Sequence, residues 1–126
     1  MKRFEGKATI NFKLNMQDID DIMACALEGG INYWCKEAKV IGEYLGEYAS
    51  EQICRGGILE LYDTEDDEVY LLDIKKFIQG FEAWVENGYD YNGAVSANGK
   101  VDTSLIDAGD ADTIIQFALF DEIVYG

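Results

Sequence analysis

The sequence predicts an α+β fold: a small, mainly antiparallel sheet with three helices packed on it, as a single domain over residues 1–126. Three patterns predict it. A stretch of period-two alternation opens the chain. Three segments carry apolar residues at spacings of three and four between capping residues. Two short apolar runs flank an acidic turn in the manner of a hairpin. No repeat, low-complexity tract or Pro-rich linker divides the chain, which has no proline at all.

In the first segment Phe4, Ala8, Ile10, Phe12 and Leu14 fall on one side. Lys7, Thr9, Asn11 and Lys13 fall on the other, which marks a half-buried strand with a basic outer face. Asn15 follows as an N-cap for a helix over 17–28. Asp18, Asp20 and Asp21 crowd its first turn, where the helix dipole favours anions. Ile19, Ile22, Met23, Ala26 and Leu27 form its apolar stripe, and Gly29-Gly30 ends it. Residues 31–46 read two ways. Ile31, Trp34, Ala38, Ile41 and Leu45 have helical spacing, but Gly42 and Gly46 oppose a long helix at about 1 kcal/mol each relative to Ala. A strand near 34–41 is the favoured alternative. Tyr33, Tyr44, Tyr48 and Tyr62 cluster here with Trp34, and most are expected in the core or half-buried. Ser50 is the expected cap of a helical turn up to Cys54, stopped by Gly56-Gly57.

Residues 57–62 and 68–72 form the two strands of a hairpin, with the acidic turn Asp63-Thr64-Glu65-Asp66-Asp67 at its tip. Asp73 caps the most regular helix, with Ile74, Phe77, Ile78, Phe81, Trp84 and Val85 on one face and Asn87-Gly88 closing it. Residues 88–107 are rich in Gly, Asn and Asp, with a short hairpin at Asn98-Gly99. Asp107 or Asp110 starts the last helix, which carries Ile114, Ile115, Phe117, Ala118 and Leu119. Ile123-Val124-Tyr125 reads as a closing strand.

Charge is the strongest lead to function. The chain has 10 Lys+Arg against 25 Asp+Glu and no His, a net charge of −15. Solubility asks a magnitude of only roughly 2–8 of a small domain. Such a surface repels nucleic acid and anionic membrane, and it attracts basic proteins, including those that bind nucleic acid. The excess is uneven. Residues 1–63 hold 11 acids and 7 bases, a net −4, and residues 64–126 hold 14 acids and 3 bases, a net −11. With 48% apolar and 13% aromatic residues the chain is not a disordered acidic tail. No apolar h-region follows the N-terminal bases and no apolar run approaches 18 residues, so the expected location is the cytoplasm, with no membrane contact. Cys25, Cys35 and Cys54 are odd in number and widely spaced, as free thiols in a reducing compartment would be.

The absence of His removes His-dependent triads, His bases and His metal sites. Neither the acidic tip nor the run Asp102, Asp107, Asp110, Asp112 has the spacing of a calcium-binding helix–loop–helix. No glycine-rich phosphate loop is present. Paired carboxylates could serve glycoside hydrolysis, but among 25 acids such a pair carries no specificity. The reading is therefore non-catalytic, with no cofactor and no metal. A small hydrolase or metal-binding protein is the weaker alternative.

Mimicry of nucleic-acid phosphates fits the charge better. DNA carries one charge per roughly 3.4 Å of axis on each strand. Carboxylates at i,i+3 or i,i+4 on a helix lie about 5–6 Å apart at Cβ, and those at i,i+2 on a strand about 6.6 Å. The hairpin tip (Asp63, Glu65, Asp66, Asp67, Glu68), the helix pair Glu82 and Glu86, and the run Asp107, Asp110, Asp112 have such spacings. Interleaved Tyr70, Tyr89 and Tyr91 offer rings to stack or hydrogen-bond where bases would lie, and Tyr89, Asp90 and Tyr91 join the acids above. These residues are the candidate partner-binding surface. Capping is the first cause of Asp18, Asp73 and Asp110, so the surplus beyond caps carries the argument.

The stretches ALEGGINYWC at 26–35 and YLGEYASEQICRGG at 44–57, with IIQFALF at 114–120 and Ile123-Val124 after it, carry a family likeness. The chain resembles small acidic proteins carried by phages and mobile elements of low-GC Gram-positive bacteria, a group that includes inhibitors of type II CRISPR nucleases. The resemblance spans most of the chain and implies an anti-CRISPR inhibitor acting inside a bacterial host cell, with a type II CRISPR nuclease as its basic partner. It brings no functional motif, so it assigns no residue a role. The rival expectation is a non-catalytic mobile-element protein that forms homo-oligomers or binds a protein through its aromatic patch.

Overall fold

The computed structural model describes residues 11–126. Most of the expected first strand, residues 4–10 with Lys7, lies outside them. Of its remainder, Phe12 and Leu14 are half-buried, Asn11 and Lys13 are exposed, and Lys13 makes one parallel bridge to Lys100.

Helix α1 (Met16–Cys25) begins at Asn15, as expected. Asn15 Oδ1 accepts from Asp18 N at 2.7 Å and Asp18 Oδ2 accepts from Asn15 N at 3.0 Å, so each residue satisfies an otherwise unpaired amide of the other. The two glycines do not simply stop this helix. It widens into a turn over Ala26–Gly30, closed by Ile31 N bonding to Ala26 O at 3.0 Å.

The ambiguous middle of the chain resolves into a strand. β1 (Cys35–Val40), β2 (Leu59–Asp63) and β3 (Val69–Leu72) form an antiparallel sheet in that order. Ala38 and Val40 stand opposite Leu61 and Leu59 on the face that meets the core, while Glu37 and Lys39 face outward. The loop after β1 is not core. Tyr33, Tyr44 and Tyr48 are exposed, against expectation, and of that aromatic cluster only Trp34 is fully buried. The loop backbone is braced from below: Gln52, buried, accepts from Leu45 N and donates to Glu43 O, while Glu51 accepts from Glu47 N and Tyr48 N. Ser50 is not the cap of the next turn. The turn spans Ala49–Glu51, and Tyr48 occupies the capping position.

Asp73 caps helix α2 (Ile74–Glu86) by accepting from Lys76 N at 2.8 Å. Asp107 caps helix α3 (Ala108–Phe120) in a reciprocal pair with Asp110. The expected hairpin at Asn98-Gly99 is minimal, a turn closed by one antiparallel bridge between Val95 and Val101. α2 and α3 touch backbone to backbone at Gly80, where a Cβ would fall 2.6 Å from the Cα, Cβ and N of Ala118. The buried side chains form one cluster in which Trp34, Leu59, Leu61 and Leu72 meet Phe77, Phe81, Trp84 and Ile114. The helices thus cover one face of the sheet.

Residues 123–125 form no strand. Their amides are satisfied by a side chain instead: Gln116 Oε1 accepts from Val124 N and Tyr125 N, both at 2.8 Å. Among the described residues no helix is long and apolar enough to cross a membrane.

Candidate functional site

Two acids expected on the partner-binding surface are internal. Asp63 is 3% exposed. Its Oδ1 accepts from Glu65 N at 2.7 Å and Asp66 N at 3.2 Å, and its Oδ2 accepts from the Tyr125 hydroxyl. The hydroxyl and the two amides hold this carboxyl below the usual aspartate range. Asp112 is 7% exposed. It accepts from Tyr33 Oη at 2.6 Å, Trp34 Nε1 at 2.8 Å and Gln116 Nε2 at 2.9 Å. Desolvation of the hydroxyl where it meets Asp112, then the bond to that carboxylate, pushes the Tyr33 phenol up to about 12. Each carboxylate accepts from neutral donors, some local and some from distant parts of the chain, and is bonded inward rather than left open to solvent.

Others serve local structure first. Asp107 and Asp110 cap α3, and burial raises the Asp110 carboxyl. Asp90 accepts from Ala94 N at 2.8 Å and Val95 N at 3.0 Å, fixing the loop after α2. Tyr89 is half-buried, edge-on to Phe117 at 5.2 Å, while Tyr91 beside it is exposed.

The remaining acids of the expected surface, all facing solvent, fall in two places. Glu65, Asp66, Asp67 and Glu68 form the hairpin tip. Glu82 and Glu86, one helical turn apart, rim a groove of about 570 Å³ between α2 and the end of α3, floored by Ala83, Phe117, Ala118, Leu119 and Phe120. Gln79 and Asp121 complete its lining, which contains no basic residue. Asp121 was not among the residues expected here. An acid directly after the last apolar residue of a helix was the available signal, because the dipole makes that the wrong end for one. Asp121 is also the only non-glycine described residue with positive φ, at 58°.

The groove and the tip are joined through the tail. From Asp121 and the exposed Glu122 the chain passes under the Gln116 bonds to Tyr125, whose hydroxyl meets Asp63 at the base of the tip. The acids thus sit on a braced frame, which limits the entropy lost when a partner binds.

Nucleophilic chemistry finds little support here. Cys54 Sγ donates to Asp20 Oδ1 at 2.9 Å, and Arg55 Nη1 lies 3.2 Å from the sulfur and from both Asp20 oxygens. Burial, then that carboxylate, pushes the Cys54 thiol up to about 11, so it stays protonated at neutral pH. Burial also raises Cys25 and Cys35. Among the described residues no group of three or more acids and thiols is arranged to hold a metal ion. No protein-family model, curated protein or solved structure matches the chain.

Proposed function

We propose that this protein is a non-catalytic inhibitor, carried by a phage or mobile element, that binds a basic nucleic-acid groove of a type II CRISPR nuclease in the host cytoplasm. The observation that carries the reading is the groove between α2 and α3. Glu82, Glu86 and Asp121 rim it above Ala83, Ala118 and Leu119, and the same two glutamates border a second groove on the other side of α2 whose lining includes Lys13. A groove of this kind suits a lysine- or arginine-bearing surface with apolar side chains between its charges. The exposed tip Glu65–Glu68 supplies a second row of carboxylates for the same partner. The class of partner comes from the family likeness of the sequence, and its basic character from the net charge of −15.

The test is binding to a purified, guide-loaded type II CRISPR nuclease across a salt series. Affinity should fall steeply as salt rises, because salt screens the attraction between the carboxylates and the basic groove. Replacing Asp66, Asp67, Glu82 and Glu86 together by Lys should abolish both binding and inhibition of DNA cleavage. Inhibition that survives the fourfold change would overturn the assignment of this surface.

A further inference from the structure

We infer that the open face of the sheet is the interface of a two-fold dimer of this chain. Directly opposed residues of neighbouring strands share a face, so the register lays that face out in rows. Glu37, Tyr62 and Val69 form one row across β1, β2 and β3, and Lys39, Glu60 and Leu71 form the next. Ile41 and Ile58, joined by an Ile41 N to Ile58 O bond of 3.2 Å, extend it beyond β1 and β2. Among the described residues no helix covers this face. Ile41, Ile58, Val69 and Leu71 are 38–47% exposed, with Val69 beside Leu71 on β3 and Ile41 beside Ile58, apolar surface of the kind that marks an interaction site.

The charges select a second copy as the occupant. Glu37 and Glu60 share this face with Lys39, and Lys76 lies at the outer edge of β3, its Nζ held at Leu71 O at 2.7 Å. On a chain of net −15 this face carries little net charge, so two copies can meet on it where their acidic surfaces would repel. The pattern is also self-complementary. A two-fold axis across the strands, midway between the two rows, sets Glu37 against Lys39 of the second copy. It sets Tyr62 against Glu60 and Val69 against Leu71, and each contact is made twice. Two sheets packed this way are stacked about 10 Å apart. Three short strands make a small contact, within the weak class below ~1,200 Å² in total.

Sedimentation equilibrium of the whole chain, from micromolar to millimolar and over a salt series, tests this without any partner. The mass should rise from 14.1 kDa toward twice that value. Association should strengthen with salt as repulsion between the copies is screened, the opposite trend to binding of a basic partner. Leu71→Asp, at an exposed position, should leave a folded monomer. Glu37→Lys and Lys39→Glu should each weaken association by about tenfold, since each change is felt twice across the axis. The double exchange should restore it. A monomer at every concentration, a Leu71→Asp protein that still pairs, or a double exchange that does not recover would each overturn the inference.

Discussion

The rings of Trp34 and Tyr125 stack in parallel with centroids 4.8 Å apart. The relationship ties the C-terminal tail to the turn before β1, and Phe120 and Tyr70 close around it edge-on. The Tyr125 hydroxyl then reaches Asp63 and lies 3.1 Å from that of Tyr70. Tyr125→Phe keeps the stack and removes the hydroxyl, leaving a buried carboxylate short of a donor. The expected loss is about 1–3 kcal/mol in denaturant unfolding, with faster hydrogen exchange at the Glu65 and Asp66 amides. Tyr125→Ala should lose more, because the stack goes too.

Gly80 gives a prediction of opposite sign to helix propensity. Alanine in a helix is favoured over glycine by about 1 kcal/mol. Here the added Cβ meets the Ala118 backbone at 2.6 Å, and neither helix can yield without repacking. Gly80→Ala should therefore destabilise by about 1–3 kcal/mol, read as a lower denaturant midpoint. An unchanged or raised midpoint would show that the helices do not meet so closely.

The tail contacts should respond to pH at both extremes. Asp63 titrates below its ordinary value of 3.8, so its contribution is fully present above that pH. It is lost only as pH falls through the lower folded value, and Asp63→Asn should remove that acid-side step. Tyr33 titrates above its ordinary 10, at about 12, so its contribution is fully present below pH 10. It is lost as pH rises from 10 through about 12, and Tyr33→Phe should remove that alkaline step. Near-ultraviolet circular dichroism of Trp34 and Tyr125 follows both.

Acids inside and outside should separate cleanly by stability. Asp112→Ala strips the acceptor from buried Trp34 Nε1 and should cost about 1–3 kcal/mol. Asp107→Ala removes a cap and should cost about 1 kcal/mol. Glu82→Gln and Glu86→Gln should stay within about 0.5 kcal/mol. Thermal unfolding of the four variants distinguishes structural carboxylates from those free to meet a partner.

What the sequence disclosed was local. Asn15, Asp73 and Asp107 cap helices because the amides they serve are three residues away, and the hairpin is written in adjacent runs. What it concealed was long-range. Two of the three donors to Asp112 sit 78 and 79 residues earlier, and the hydroxyl on Asp63 sits 62 residues later, so no spacing rule marks either acid as internal. The expected closing strand failed for a related reason: Ile123-Val124-Tyr125 has strand composition, but a glutamine from α3 occupies its amides. The glycines carried the choice of strand over helix at 35–40, and in the structure Gly42 indeed leaves the helical region, with φ at 78°. At the groove, Glu82 and Glu86 were legible from their spacing on α2, whereas the end of α3 that faces them was not.

Asp121 combines a left-handed backbone with a negative charge at the end of α3. Each is opposed by local physics, the first by about 1–2 kcal/mol for an ordinary L-residue and less for Asp, the second by a few tenths of a kcal/mol to about 1. The fold therefore holds an unused reserve at the rim of its groove. Asp121→Gly should draw on it and raise the unfolding midpoint, while taking a carboxylate away from the surface proposed to meet the partner. At this position a sturdier molecule and a better ligand are alternatives, and directed selection for either property alone would move the residue in opposite directions.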